Sequence, residues 1–237
     1  MNPTRRTAVV AGVFFVVAAV AAIAAKLLWI PLLGEADYVV GAGEDNRVLL
    51  GVFVELITAA AVVGTGVALY PVIRRHSEGM ALGYVAGRVL EAVTIVVGLA
   101  AVLAIVTLRQ DNAGSADVGA LVPVQDSLVA LHDAMFLLGP GLIIGVNSLL
   151  LASLMYRSGL VPRWIAALGL VGGPLVFVSS TAVLFGLHEQ VSTTAMLCAL
   201  PVFAWEMSLA GCLLVKGFRP SSLDRRATTG QAALTPA

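Results

Sequence analysis

Six ionisable residues stand inside long apolar stretches of this 237-residue chain: Lys26, Glu55, Arg88, Glu91, Asp133 and Glu206. His132 and Asn147 lie beside them. Each full charge at the centre of a lone helix in hydrocarbon costs about 2.5–3.5 kcal/mol. Six uncompensated charges would outweigh the net stability of a domain, so they must face an interior and find partners. Four carboxyls meet only two permanent cations. At least one carboxyl must therefore keep its proton or reach water. A buried carboxylic acid is a proton donor, and a carboxylate held by a cation is a base. The chemistry on offer is acid–base.

The residues fall into local patterns. Tyr84, Arg88, Glu91 and Ile95 are spaced i, i+4, i+7 and i+11, which puts them on one helical face. Arg88 and Glu91, three apart, can pair within the helix, and a guanidinium that cannot lose its charge can be shared with Glu206. The arrangement is read either as a self-neutralising packing pair or as part of a site. His132 and Asp133 are adjacent, so their side chains diverge by about 100° and do not chelate one ion. We expect no metal and no cofactor. Phe136 follows on the same stretch, and Gly139-Pro140-Gly141 invites a kink, either for packing or to open a pocket beside Asp133. Phe203 and Glu206 share a face, with Trp205 flanking. Glu55, Glu91, Asp133 and Glu206 are thus the candidate catalytic groups. Arg88, Tyr84, His132, Phe136, Phe203 and Trp205 are the candidate substrate contacts.

The elements that must carry these residues are membrane spans. Hydrophobic residues make up 59% of the chain and charged ones 12%, about half the share of a soluble domain. Net charge is zero, without the basic excess of a nucleic-acid binder. A bilayer core needs about 20 apolar residues of helix. Six stretches qualify: Thr7–Ile30 closed by Pro31, Val48–Tyr70 closed by Pro71, Met80–Leu108, Ser127–Tyr156, Trp164–Leu187 and Thr193–Val215. No alternating segments suggest a β-barrel. The fold class expected is an all-α, six-helix membrane bundle over residues 1–220, with a polar, disordered tail over 221–237.

Charge sets the orientation. Arg5, Arg6, Arg74, Arg75, Arg157, Arg163, Lys216, Arg219, Arg225 and Arg226 gather on one side with only Glu78 and Asp224, which places both termini in the cytoplasm. The first span is read as retained rather than cleaved as a signal peptide, since its apolar run is long and five more follow. The opposite side carries the acidic, Gly-rich loops Pro31–Asn46 and Arg109–Gln125. Trp29 and Trp164 fall at interfaces, as aromatic-belt anchors do. By the helical rise, Lys26, Glu55 and His132–Asp133 lie roughly 8–12 Å below the outer face, and Glu91 and Glu206 near the middle. Gly83 with Gly87 and Gly169 with Gly173 form G-x-x-x-G pairs, suited to internal packing or to a homo-oligomer seam. Cys198 and Cys212 sit in one apolar run and imply no disulfide framework. The first three spans do not repeat in the last three, which weighs against inverted-repeat transport.

Tyr156-Arg157-Ser158-Gly159-Leu160-Val161-Pro162-Arg163-Trp164, continuing into Ala166-Ala167-Leu168-Gly169, resembles the hallmark of a bacterial membrane family catalogued as a domain of unknown function, family number 4386. Arg88-x-x-Glu91 resembles that family's helix-three motif. Glu206 with Leu213-Leu214-Val215-Lys216-Gly217 resembles its closing motif. The resemblance implies a six-helix bundle and no assigned activity. In size, helical content and buried carboxylates the chain is also similar to small integral-membrane terpene cyclases, a likeness of architecture alone.

These observations lead to an intramembrane acid–base enzyme in the bacterial cell membrane, acting on a lipid-soluble isoprenoid by protonation-initiated cyclisation. Its partners would be that small-molecule substrate and membrane lipids, with no nucleic acid. The alternatives are a small proton- or ion-coupled transporter and a non-catalytic membrane subunit.

Overall fold

The computed structural model describes residues 3–33, 38–40, 44–112 and 118–219. The expected tail at 221–237 and parts of both long loops lie outside the described residues, as does the side chain of Trp29. The helices are α1 (Pro3–Leu33), α2 (Asp45–Ile73), α3 (Glu78–Asp111), α4 (Val122–Phe136), α5 (Ile144–Ser158), α6 (Arg163–Leu184) and α7 (Thr193–Val215). A single π-helical turn, Leu137–Ile143, joins α4 to α5. Together these make six spans long and apolar enough to cross a membrane, the fourth running Val122–Ser158 through the π turn.

Several boundaries differ from those expected. Helix α1 continues through Pro31 to Leu33, and α2 through Pro71 to Ile73. Proline removes its own N–H but its ring fixes φ at a helical value, so the backbone can run a few residues past it. Helix α6 stops at Leu184 rather than Leu187. Gly186 takes a left-handed φ of 70°, and the Leu187 N–H turns back to the Ala182 carbonyl. The kink expected at Gly139-Pro140-Gly141 is a widened turn in which the Ile144 N–H reaches back five residues to the Gly139 carbonyl.

The start of α1 and the end of α7 lie at the same end of the bundle. There Arg5 donates to the carbonyls of Leu213, Leu214 and Val215, the last turn of α7. These are the groups a helix C-terminus leaves unsatisfied, and a cation suits them. The Ser-Gly-Leu-Val-Pro turn closes the same end. Gly159, at φ 67°, reverses the chain after α5. Leu160 and Val161 then plug a fully buried core with Phe15, Tyr84, Met155, Trp205 and Leu209. The Arg219 N–H donates to the Leu160 carbonyl and ties the chain beyond α7 to that turn.

At the far end the second core is narrower. It is built from α1, α2 and α3, with Tyr38 buried among them and α4 at its edge. Tyr38 donates to Asp45, which also pairs with Arg109 of α3, so the α1–α2 connection is tied to α3. Burial, and then the Asp45 acceptor, hold the Tyr38 hydroxyl well above the usual phenol range. Helices α6 and α7 do not join this core. Met196, Leu197 and Leu200 on α7 are exposed there. The bundle is therefore closed at the end that holds the described chain ends and parted at the other.

The small-residue pairs are used within the chain. A Cβ built on Gly169 would lie 2.7 Å from the Trp205 ring and 2.8 Å from Ala152, and one on Gly173 would lie 2.8 Å from the Gly145 carbonyl. Gly87 faces the Asn147 side chain. Leucine at Gly169 should push α6 away from α5 and α7, because the Ala152 methyl and a fully buried indole have no room to give. We expect Gly169→Leu to lose its monodisperse peak on size-exclusion chromatography. A normal profile and melting curve would contradict this packing.

Candidate functional site

The parted half of the bundle encloses a cavity of about 330 Å³. That volume falls at the low end of the 300–1,000 Å³ usual for small-molecule sites. One stripe of each neighbouring helix builds it. From α1 come Phe15, Ala18, Ala19, Ala22, Ile23 and Lys26, a run of i, i+3, i+4, i+7, i+8 and i+11. The alanines leave the space. From α2 come Glu55, Thr58, Val62 and Thr65, spaced i, i+3, i+7 and i+10. At 1.5 Å per residue this stripe descends about 15 Å. Helix α3 supplies Arg88, Glu91 and Ile95; α4 supplies His132, Asp133 and Phe136; α7 supplies Phe203 and Glu206. Pro140 of the π turn and Ile144 of α5 complete that wall, and Gln190 and Val191 of the α6–α7 connection reach the cavity as well.

The π turn sets the wall beside Asp133. Glycine is needed there because a Cβ on Gly139 would overlap the Thr94 hydroxyl, and one on Gly141 would lie 2.9 Å from Ser180 Oγ. Backbone can thus lie close to both α3 and α6 while Pro140 turns toward the cavity. Thr94, in turn, donates to the Glu91 carbonyl.

The floor is a charge cluster. Arg88 directs each of its nitrogens to a different acceptor: Nε to the Tyr84 hydroxyl at 3.1 Å, Nη1 to Glu91 at 3.2 Å, and Nη2 to Glu206 at 2.5 Å. The rings of Phe15 and Tyr84 flank the guanidinium at 5.6 and 5.3 Å. Asn147 Nδ2 donates to Glu91 Oε2 at 3.0 Å. Thr65 donates to the Val62 carbonyl, which leaves its oxygen 3.3 Å from the Tyr84 hydroxyl to accept that proton. Arg88 and Glu91 are each 4% exposed at the side chain, and Glu206 is 17% exposed. Glu91 is thus fixed from two sides, whereas Glu206 is held by Arg88 and presents itself to the cavity.

The mouth is marked by lining residues that are also exposed. These are Ala22, Ile23 and Lys26 on α1, Asp133 and Phe136 on α4, Val191 before α7, and Phe203 on α7. His132, buried, sets Nδ1 3.3 Å from Asp133 Oδ1. Gln190 donates to the Asp133 backbone carbonyl, joining the α6–α7 connection to α4 at this rim.

All four candidate carboxyls therefore line one cavity, together with Arg88, His132, Phe136 and Phe203. Two sequence candidates do not. Tyr84 lies under the floor as a partner of Arg88. Trp205 is turned onto Gly169 of α6, because it sits about 100° around α7 from Glu206. Phe15, Thr58 and Thr65 escaped the sequence reading. The polar stripe 55–58–65 on α2 was the available signal for the two threonines; Phe15 carried none. Among the described residues no group of three or more His, Cys, Asp and Glu side chains is placed to hold a metal ion.

The fold and this cavity define a six-span helical membrane protein with a charged interior site open at one side. The chain belongs to the family described as domain of unknown function DUF4386, which matches residues 10–217. Comparison with curated proteins and with solved structures finds no match. The segments that carry the resemblance divide by place. The Ser-Gly-Leu-Val-Pro turn and Lys216-Gly217 lie at the closed end, and Arg88-x-x-Glu91 with Glu206 forms the cavity floor.

Proposed function

We propose that this protein is an intramembrane acid–base enzyme that cyclises a lipid-soluble isoprenoid by protonation. The observation that carries the reading is the convergence of four carboxyls on one largely apolar cavity. One carboxyl of the cavity wall, Glu55 or Asp133, gives a proton to a terminal alkene carbon or an epoxide oxygen of the substrate. The resulting cation is attacked by a second alkene of the same chain, which closes the ring. Phe15, Phe136 and Phe203 offer π faces to that cation. Glu206, paired with Arg88, takes a proton from the neighbouring carbon and leaves an alkene. The net change is an isomerisation, and one proton returning from Glu206 to the donor resets the site. The experiment is incubation of the purified, reconstituted protein with linear prenylated substrates, with products separated by mass-matched chromatography. A cyclised isomer of unchanged mass is expected. Recovery of only linear substrate across C15 to C20 prenyl alkenes and epoxides would defeat the reading.

One observation favours a second reading. A single guanidinium bridging two carboxylates beneath an open cavity is also suited to trading a partner for a proton or a cation, as in a coupled carrier. Proton movement driven by a solute gradient in proteoliposomes would support that reading over the enzyme.

We assign the protein to a bacterial cell membrane with the closed end in the cytoplasm, on the strength of the basic residues gathered there. Single cysteines placed in loops 34–44 and 113–121 should react with a membrane-impermeant maleimide in intact cells. Cysteines at 74–77 should not. Reaction at 74–77 would reverse the orientation.

A further inference from the structure

The mouth of the cavity is polar at its rim and apolar deeper in the bundle. Lys26 of α1 and Asp133 of α4 are exposed at the rim. One turn further in, Ala22, Ile23 and Phe136 are exposed, with Phe203 on the facing α7. Two hydrogen bonds fix the level of the rim. Arg47, in the first turn of α2, donates to the Leu27 carbonyl beside Lys26, and Gln190 of the α6–α7 connection donates to the Asp133 carbonyl. The rim is thus level with the places where neighbouring spans begin. Length agrees. Helix α1 has 31 residues and is about 46 Å long, against a hydrocarbon core of about 30 Å, so a centred span extends about 8 Å past each boundary. Lys26, about 10 Å from the end at Leu33, stands within one turn of that boundary. Phe203 lies about 15 Å into α7, at hydrocarbon depth. The mouth therefore opens sideways into lipid, and its groups follow the order of an amphiphile, head and then chain.

The rim groups have capacity to spare. Lys26 makes no hydrogen bond or ion pair among the described residues, and the Asp133 carboxyl has His132 as its partner. Lys26 and Asp133 do not pair with each other, although they line one cavity. A cation on one lip and a carboxyl on the other are complementary to a head that carries an anion and a hydrogen-bond-donating cation. The lysine offers three N–H donors to a phosphate, and a carboxyl oxygen accepts from an ammonium whether or not the group holds a proton. A phosphoethanolamine head has both parts. A phosphocholine head has no N–H to give, and a phosphoglycerol head has hydroxyls but no cation.

We propose that this mouth is a lateral docking site for a bilayer phospholipid with a phosphoethanolamine head. The phosphate lies at Lys26 and the ammonium at Asp133. One acyl chain passes between Ile23 and Phe136 and lies along Ala18 and Ala19 of α1. The inference goes beyond the proposed function and holds whether or not turnover follows. It also makes the lipid a competitor for any substrate chain that uses the same mouth.

The test is lipid retention by the full chain, delipidated in a non-ionic detergent and followed by native mass spectrometry. The probes are phosphatidylethanolamine, phosphatidylcholine and phosphatidylglycerol with identical chains. One phosphatidylethanolamine should bind about 10-fold more tightly than either of the others, the worth of one charge-assisted hydrogen bond. Lys26→Gln should weaken that binding by about 10-fold, and Asp133→Leu should abolish the preference over phosphatidylcholine. Both side chains are exposed, so both variants should melt with the wild type. The chain is tested separately, with a phosphatidylethanolamine bearing a mid-chain diazirine, photolysed in nanodiscs. Its crosslinks should include Ala18, Ala19 or Ile95, the last of which is 7% exposed. Crosslinks confined to outward-facing residues such as Val20 and Leu27 would defeat the docking site. Equal binding of the three heads, a preference for phosphatidylglycerol, or variants that bind phosphatidylethanolamine as the wild type does would overturn the head-group assignment. None of these results bears on the cyclisation assay, and a failed cyclisation would leave lipid docking standing.

Discussion

Methionine in place of Arg88 should destabilise the protein by about 3–5 kcal/mol, the usual result of removing one side of a buried ion pair. The loss does not measure the strength of the pair. It measures what remains: Glu91, 4% exposed and left with Asn147 as its donor in the cluster, and Glu206 without its guanidinium. Taking a charge out of water is expensive, and only the partner offsets it. A second outcome follows from stranded charge. A chain carrying Arg88→Met with Glu91→Gln and Glu206→Gln has no charge to leave stranded, and should recover most of the lost stability. Arg88→Lys should fall between, since an ammonium keeps the charge but not a planar fork able to reach Tyr84, Glu91 and Glu206 together. Thermal unfolding in a single detergent decides the matter. If Arg88→Met melts with the wild type, the cluster is solvated and the floor described here is not closed.

The floor was largely legible from sequence for a specific reason. A helix fixes angular position, so Tyr84, Arg88, Glu91 and Ile95 had to share a face. An arginine, moreover, cannot shed its charge in hydrocarbon. Those two facts point to Glu206 without any knowledge of the fold. The six spans were legible on the same kind of ground, because their length is set by the bilayer. What escaped was whatever depends on neighbours. Threonine hydroxyls in a helix usually satisfy themselves on their own backbone, so Thr58 and Thr65 gave no signal that one of them would be left without a partner. The alanine stripe of α1 reads as packing material, and only the parting of α7 from α1–α3 turns it into a cavity wall. Trp205 was placed beside Glu206 by adjacency in sequence, yet adjacency on a helix is a rotation of 100°, and the indole went to Gly169 instead. The π turn depends on two glycines approaching Thr94 and Ser180, contacts between spans that no single span announces.

The amide variants of the four carboxyls carry the functional argument, and they should not behave alike. Glutamine or asparagine keeps the shape and the hydrogen bonding but cannot donate an acid's proton or act as a carboxylate base. At least one of Glu55→Gln, Glu91→Gln, Asp133→Asn and Glu206→Gln should fold normally and lose turnover on a prenylated substrate by about 10²-fold or more, the scale of a general acid or base. Position ranks them. Glu206 faces the cavity and is paired with Arg88, so its amide should lose turnover while disturbing stability little. Glu91 is enclosed by Arg88 and Asn147 beneath the floor, so its amide should report mainly on stability. Asp133 is 53% exposed at the mouth, where solvent can replace it, and its amide should lose least. Glu55 lies on the wall inside the mouth, beside the buried Thr58, and its amide tests the donor most directly. A structural cluster predicts the opposite order, in which turnover follows stability and Glu91 leads in both. Four folded variants with full turnover would leave the carboxyls as packing charges and the cavity without acid–base chemistry.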